Sequence, residues 1–218
     1  MNKNQILAGI REEKIVSILR VSDSSKVIPA SLALLEGGIK VIEISLNTPK
    51  ALVCMTKLAR IDGIVPGAGT VTDKEMAIES IEAGAEFIVT PITRKDVINT
   101  CHDLGKPVFS GAFTPSEIFQ AHEWDADVIK VFPAETLGMN YIKAVKAPFP
   151  DIKLMPTGGV TPDNIDKWLD MGANCVGVGS SFTKPDILDN EEWGRLTGIA
   201  KEFTSNIAHY KTNRKNHH

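Results

Sequence analysis

Eight short apolar runs, each followed by a stretch of helical periodicity, constrain this chain more than any other feature. The runs are Ile15–Leu19, Lys40–Leu46, Gly63–Val65, Glu86–Val89, Pro107–Ser110, Val128–Phe132, Lys153–Met155 and Cys175–Val178. Between them, segments such as Lys26–Glu36, Pro49–Arg60, Asp73–Ala83, Thr93–Leu104 and Thr161–Met171 repeat apolar residues at helical spacing. A strand separated from the next by a helix pairs with it in parallel, and a parallel sheet must be covered by those helices. Eight such units in 218 residues predict an α/β fold, a single-domain (β/α)8 TIM barrel over residues 1–210, with a polar tail at 211–218. A doubly wound open sheet is the alternative, because periodicity does not report closure.

Turn chemistry supports this phase. Thr48-Pro49, Thr72-Asp73, Thr114-Pro115 and Thr161-Pro162 read as helix starts, with a capping side chain or an early proline. Gly37-Gly38, Gly84, Gly105 and Gly172 read as helix ends. Glu82-Ala-Gly-Ala-Glu-Phe-Ile-Val89 and Asp170-Met-Gly-Ala-Asn-Cys-Val-Gly177 look like one helix-to-strand joint used twice.

Composition narrows the function classes. A net charge of −3 gives no reason to expect a nucleic-acid or anionic-membrane partner. The basic tail Lys211-Thr-Asn-Arg-Lys-Asn-His-His218 reads as a frayed terminus rather than a binding arm. Cys54, Cys101 and Cys175 are scattered and odd in number, which suits a reducing compartment. The opening Met1-Asn-Lys-Asn-Gln5 lacks a signal-peptide apolar region, and no run approaches a membrane span, so a soluble cytoplasmic protein is expected. His102, His122 and His209 fall in helices without convergent partners; neither a metal site nor a cofactor is expected.

Both faces of a barrel strand are covered, so a charge in mid-strand needs a reason. In the second strand Ile42, Ile44 and Leu46 alternate toward the helices, which turns Val41, Glu43 and Ser45 inward. In the sixth, Ile129 and Val131 face the helices while Val128, Lys130 and Phe132 face the interior. Arg20 shares an inward face with Val16 and Ile18. Polar or glycine-rich strand ends at Gly67-Ala-Gly-Thr70, Thr90-Pro91, Ser110-Gly111, Thr157-Gly158-Gly159 and Gly179-Ser180-Ser181 would converge on the same mouth.

Each residue also has a plainer reading. Lys130 could snorkel to solvent, Glu43 could be an ion-pair partner, Arg20 could cap the mouth, and Thr70 and Thr90 could be turn residues. Gly158-Gly159 after strand seven and Gly179-Ser180 after strand eight expose backbone amides where barrels often bind phosphate, although tight turns also need glycine. An interior lysine has its charged form disfavoured by desolvation, which raises the share of nucleophilic amine. Such an amine condenses with a ketone to an iminium, an electron sink for cleaving the adjacent carbon–carbon bond. Glu43 would move the protons, and Arg20 would suit a substrate carboxylate.

Six segments, taken in order, resemble the KDPG/KHG class I aldolases (2-keto-3-deoxy-6-phosphogluconate and 4-hydroxy-2-oxoglutarate). They are Lys14-Ile-Val-Ser-Ile-Leu-Arg20, Val41-Ile-Glu-Ile-Ser-Leu46, Gly67-Ala-Gly-Thr-Val71, Phe87-Ile-Val-Thr-Pro91, Lys130-Val-Phe-Pro133 and Pro156-Thr-Gly-Gly-Val160. The resemblance implies a Schiff base between Lys130 and pyruvate, with Glu43 as general acid/base. It implies a pyruvate pocket lined by Thr70, Pro91, Phe132 and Thr157, and phosphate held by Gly158, Gly159, Gly179 and Ser180. It also implies a homotrimer acting on pyruvate and a phosphorylated keto acid, without a metal.

One departure bears on the substrate. Ser45-Leu-Asn-Thr-Pro49 lacks the basic residue of the T-L-R-T run in some KDPG enzymes and, with Ile18-Leu-Arg20, resembles the related 2-keto-3-deoxy-6-phosphogalactonate (KDPGal) aldolases. Phe132-Pro-Ala-Glu135 and Met155-Pro-Thr-Gly-Gly159 resemble the KDPG branch, which is the reading adopted. A phosphosugar isomerase or epimerase would share the phosphate cradle but has no use for an interior lysine. A non-catalytic phosphosugar-binding barrel has no use for the Lys130–Glu43 pair.

Overall fold

The computed structural model describes residues 2–215. Its strands are β1 (Ile15–Leu19), β2 (Val41–Ser45), β3 (Val65–Gly69), β4 (Phe87–Val89), β5 (Val108–Ala112), β6 (Val128–Val131), β7 (Leu154–Pro156) and β8 (Val176–Val178). Helix α1 (Lys3–Glu13) precedes β1. The helices that follow are α2 (Val27–Glu36), α3 (Ala51–Leu58), α4 (Lys74–Glu82), α5 (Lys95–Asp103), α6 (Pro115–Glu123), α7 (Ala134–Leu137), α8 (Met139–Lys146), α9 (Ile165–Asp170), α10 (Pro185–Asp189) and α11 (Trp193–Lys215).

All strand pairs are parallel, in the order β7-β6-β5-β4-β3-β2-β1-β8. A single bridge, Thr157 with Gly177, joins the two ends and completes the ring. That seam excludes the open doubly wound sheet. It also explains Gly177: a Cβ there would lie 2.3 Å from Thr157 Oγ1, so a side chain would displace the Thr157 hydroxyl at the seam.

Alternation along the strands separates two apolar regions. Ile42, Ile44, Ile129 and Val131 point outward and pack with the helices. Val16, Val41, Phe87, Phe109, Val128, Met155 and Cys175 fill the interior together with Ile6 and Ile10 of α1. This first helix, absent from the eight-unit reading, therefore plugs the end where the strands begin. A capping box starts it: Gln5 N–H donates to Asn2 Oδ1 at 2.9 Å, and Asn2 N–H donates to Gln5 Oε1 at 3.0 Å. A pair of this kind contributes about 1 kcal/mol.

Four local readings change. The third strand is not Gly63–Val65 but Val65–Gly69, so Gly67 and Gly69 lie within it. Glycine weakens an isolated strand, but the interior leaves no room for anything larger. A Cβ on Gly67 would lie 2.1 Å from the Phe87 ring, and one on Gly69 would lie 1.8 Å from Glu43 Oε1. Thr48 does not cap α3; Lys50, in left-handed conformation at φ 56°, occupies that position, and the Thr48 hydroxyl accepts from Val21 N–H at 3.3 Å. Thr161-Pro162 opens a 3₁₀ turn, Pro162–Asn164, and α9 begins after it. His102 has a partner, Asp127 Oδ2 at 3.2 Å from its Nε2.

Helix α11 runs to Lys215, so residues 211–215 of the expected tail continue a helix, and Lys211 reaches Glu12 of α1 at 2.8 Å. Asn216–His218 lie outside the described residues. No described helix is long and apolar enough to cross a membrane. The three cysteines are free and buried.

Candidate active site

The strand ends opposite α1 surround a cavity of about 330 Å³, within the range of small-molecule sites. Arg20, Glu43, Thr70, Pro91, Lys130, Phe132, Thr157, Gly158, Gly159, Gly179 and Ser180 all line it. Ile18, Glu135 and Thr183 line it too. Ile18 was visible as an inward neighbour of Arg20, but nothing in local spacing marks Glu135 or Thr183.

Lys130 sits in the middle of β6, opposite Gly111 of β5 and Met155 of β7. It is only 6% exposed, and its Nζ lies 5.3 Å from the Phe132 ring centroid. This rules out a side chain that snorkels into bulk water. The β5 neighbour of Lys130, Gly111, lies so close to the turn after β4 that a Cβ would come within 2.2 Å of the Pro91 carbonyl carbon.

Glu43 is 1% exposed, on β2, four strands round the ring from β6 and so on the opposite wall. Burial raises its carboxyl pKa above the ordinary carboxylate value, and the charges of Lys130 and then Arg20 oppose that rise. Its Oε2 has no protein hydrogen-bond partner. Glu43 and Lys130 are thus electrostatically coupled without being locked in a contact ion pair, among the ion pairs of the described residues. An unpaired buried carboxyl oxygen that shares a cavity with an amine is costly for stability and useful for proton transfer.

The surrounding hydroxyls differ in freedom. Thr70, at φ 62°, shares a 2.8 Å hydrogen bond with Ser45. Thr90 is a turn residue: its hydroxyl donates to the Ile92 carbonyl at 2.9 Å. Thr157 Oγ1 is buried without a partner on the cavity wall. At the far end Gly158 (φ 104°) and Gly159 (φ 72°) form a turn that side chains rarely adopt. Across from it, Thr183 donates to the Gly179 carbonyl at 3.1 Å and holds the loop carrying exposed Ser180. Among the described residues no cluster of three or more His, Cys, Asp or Glu is placed to hold a metal.

A cavity with an amine, a carboxyl, a guanidinium and a glycine turn suits a keto acid, and comparison with known proteins places the chain in a family. The profile described as aldolase, KDPG and KHG aldolase, matches residues 6–199. The chain belongs to this family. It is an aldolase, a carbon–carbon lyase. A 2-dehydro-3-deoxy-phosphogluconate aldolase of Pseudoalteromonas atlantica is 33% identical over 197 residues, 89% of this chain and 91% of its own. A 2-dehydro-3-deoxy-6-phosphogalactonate aldolase of Escherichia coli is 35% identical over 171 residues, 77% of this chain and 83% of its own. Among solved structures, a KDPG aldolase from Legionella pneumophila with pyruvate captured at low pH as a covalent carbinolamine matches with TM-score 0.83. It is 26% identical, and the match covers 90% of this chain and 97% of that one.

Proposed function

We propose that this aldolase reversibly cleaves 2-keto-3-deoxy-6-phosphogluconate to pyruvate and glyceraldehyde 3-phosphate, and also cleaves 4-hydroxy-2-oxoglutarate to pyruvate and glyoxylate. The observation that carries the reading is Lys130 and Glu43, both buried, facing one cavity from opposite walls of the barrel. The neutral Lys130 amine adds to the substrate C2 carbonyl, and loss of water from the carbinolamine leaves an iminium. Glu43, directly or through a water, takes the C4 hydroxyl proton. The C3–C4 bond breaks, its electron pair enters the iminium as an enamine, and the aldehyde departs. Protonation of the enamine carbon and hydrolysis release pyruvate and regenerate Lys130.

Arg20 binds the substrate carboxylate, while Thr70, Pro91, Phe132 and Thr157 shape the pyruvate pocket. The Gly158-Gly159 turn and Gly179-Ser180 hold the phosphate through backbone amides and the serine hydroxyl. The proposal includes a homotrimer, as the family resemblance implies, and a reducing cytoplasmic setting, which suits three buried free thiols.

KDPGal is the second reading, favoured by Ser45-Leu-Asn-Thr-Pro49 and by the phosphogalactonate relative. The two sugar acids differ at one hydroxyl-bearing carbon, so the hydroxyl partners of the pocket decide between them. Borohydride reduction with pyruvate, followed by peptide mass spectrometry, tests the chemistry: the adduct is expected on Lys130, and its appearance elsewhere rejects the mechanism. A side-by-side kcat/KM comparison of KDPG, KDPGal and KHG tests the substrate, with KDPG expected to lead.

A further inference from the structure

The loop after β6 is stitched to the loop after β7. Thr157 N–H donates to the Val131 carbonyl and Ala134 N–H donates to the Thr157 carbonyl, both at 2.9 Å. This stitching sets the next residue, Glu135, directly over the glycine turn. A Cβ on Gly159 would lie 2.8 Å from Glu135 Cβ and 3.4 Å from its Cα. A Cβ on Gly158 would lie 1.6 Å from Glu135 Oε2 and 3.1 Å from Oε1. The glutamate therefore runs along the turn, and the glycine pair has a second purpose besides positive φ: it gives passage to this side chain. Among the described residues, the carboxylate makes no hydrogen bond or ion pair with a protein group, and it lines the cavity from an exposed position.

We propose that Glu135 is a specificity-determining residue, a built-in negative charge that contends with the substrate phosphate for the Gly158-Gly159 turn. The proposal rests on the phosphate reading given above. A carboxylate is an acceptor only, so it can offer a phosphate no hydrogen bond unless one of the two is protonated. A phosphate monoester carries nearly two negative charges at neutral pH, and like charges side by side disfavour binding. For the phosphate to settle on the turn, Glu135 swings outward, which its exposed position allows. Glu135 thereby lowers affinity at the phosphate end and narrows the preference for phosphorylated sugar acids over KHG, which has no phosphate.

The test compares wild type, Glu135→Gln and Ser180→Ala, using inorganic phosphate as a competitive inhibitor and the KDPG-to-KHG ratio of kcat/KM. Glu135→Gln is expected to lower the phosphate Ki and raise the ratio, each about tenfold. Ser180→Ala should do the opposite. Structural damage cannot imitate the first result, because damage does not tighten binding. A Ki that stays constant or rises in Glu135→Gln, while Ser180→Ala weakens phosphate, rejects the role of Glu135 and leaves the cradle standing. If Ser180→Ala also leaves Ki unchanged, the phosphate reading fails and takes this proposal with it.

Discussion

The two ends of the barrel are built from the same strands and differ in what those strands turn inward. At the end where the strands begin, Val41, Val128 and Cys175 meet Ile6 and Ile10 of α1 in an apolar layer. Two residues further along, the inward positions are Glu43, Lys130 and Gly177, and the interior becomes a polar cavity. One end is sealed and the other opens into the proposed active site. The sealed end matters to the reactive one, because water kept out from below leaves Glu43 in a medium where charge is expensive.

Replacing the reactive end should leave folding intact and remove chemistry. Lys130→Ala is expected to abolish both the borohydride-trapped pyruvate adduct and turnover; persistent turnover above background would reject the Schiff-base assignment. Glu43→Gln should still form the adduct, slowly, and lose about 10²–10⁴-fold in kcat, as measured by single-turnover kinetics. A smaller loss would move the proton-transfer role elsewhere.

Replacing the sealed end should do the reverse. Ile10→Ala is expected to cost about 2–4 kcal/mol in denaturant unfolding, through lost burial and an unfilled space above the Cys175 layer. Its kcat per folded molecule should stay within about twofold of wild type. A large loss of kcat would show that the plug acts on the chemistry and not only on stability.

Glu43 ties the stability of the fold to pH. Its carboxyl is held above the ordinary value, so the stability tied to this group is intact at acid pH and is lost as pH rises through the raised value. Glu43→Gln removes that loss. Its Tm should exceed the wild-type Tm at neutral pH by roughly 2–4 °C for each kcal/mol recovered, and the gap should close toward about pH 4. A gap that widens on acidification would reverse the sign assigned to Glu43.

The smallest effect concerns the thiols. Burial pushes Cys101 and Cys175 up to about 12, so neither should react with a disulfide probe at about pH 8 until the protein unfolds. Rapid labelling of Cys175 in the native protein would mean that α1 opens readily.

Much of this architecture was legible because strand alternation is a local property. Once Ile42 and Ile44 are assigned to the helices, Glu43 must point inward, and the same logic places Lys130. Helix α1 escaped that logic because it follows no strand. His102 escaped it because Asp127, its partner, lies in the loop before β6, 25 residues away. The third strand was displaced because glycine reads locally as a turn, whereas Gly67 and Gly69 answer to Phe87 and Glu43 from neighbouring strands.

The chain's own pattern determined the order of elements, the inward and outward faces, and the amine and carboxyl that reach the interior. All of these follow from the period of side chains along an extended backbone. Tertiary structure alone decided that the ring closes at Thr157 and Gly177, that α1 seals one end, and that Glu135 lies across the glycine turn. These are close approaches between segments that strand or helix periodicity does not relate, and they exist only once the packed chain has brought their atoms together.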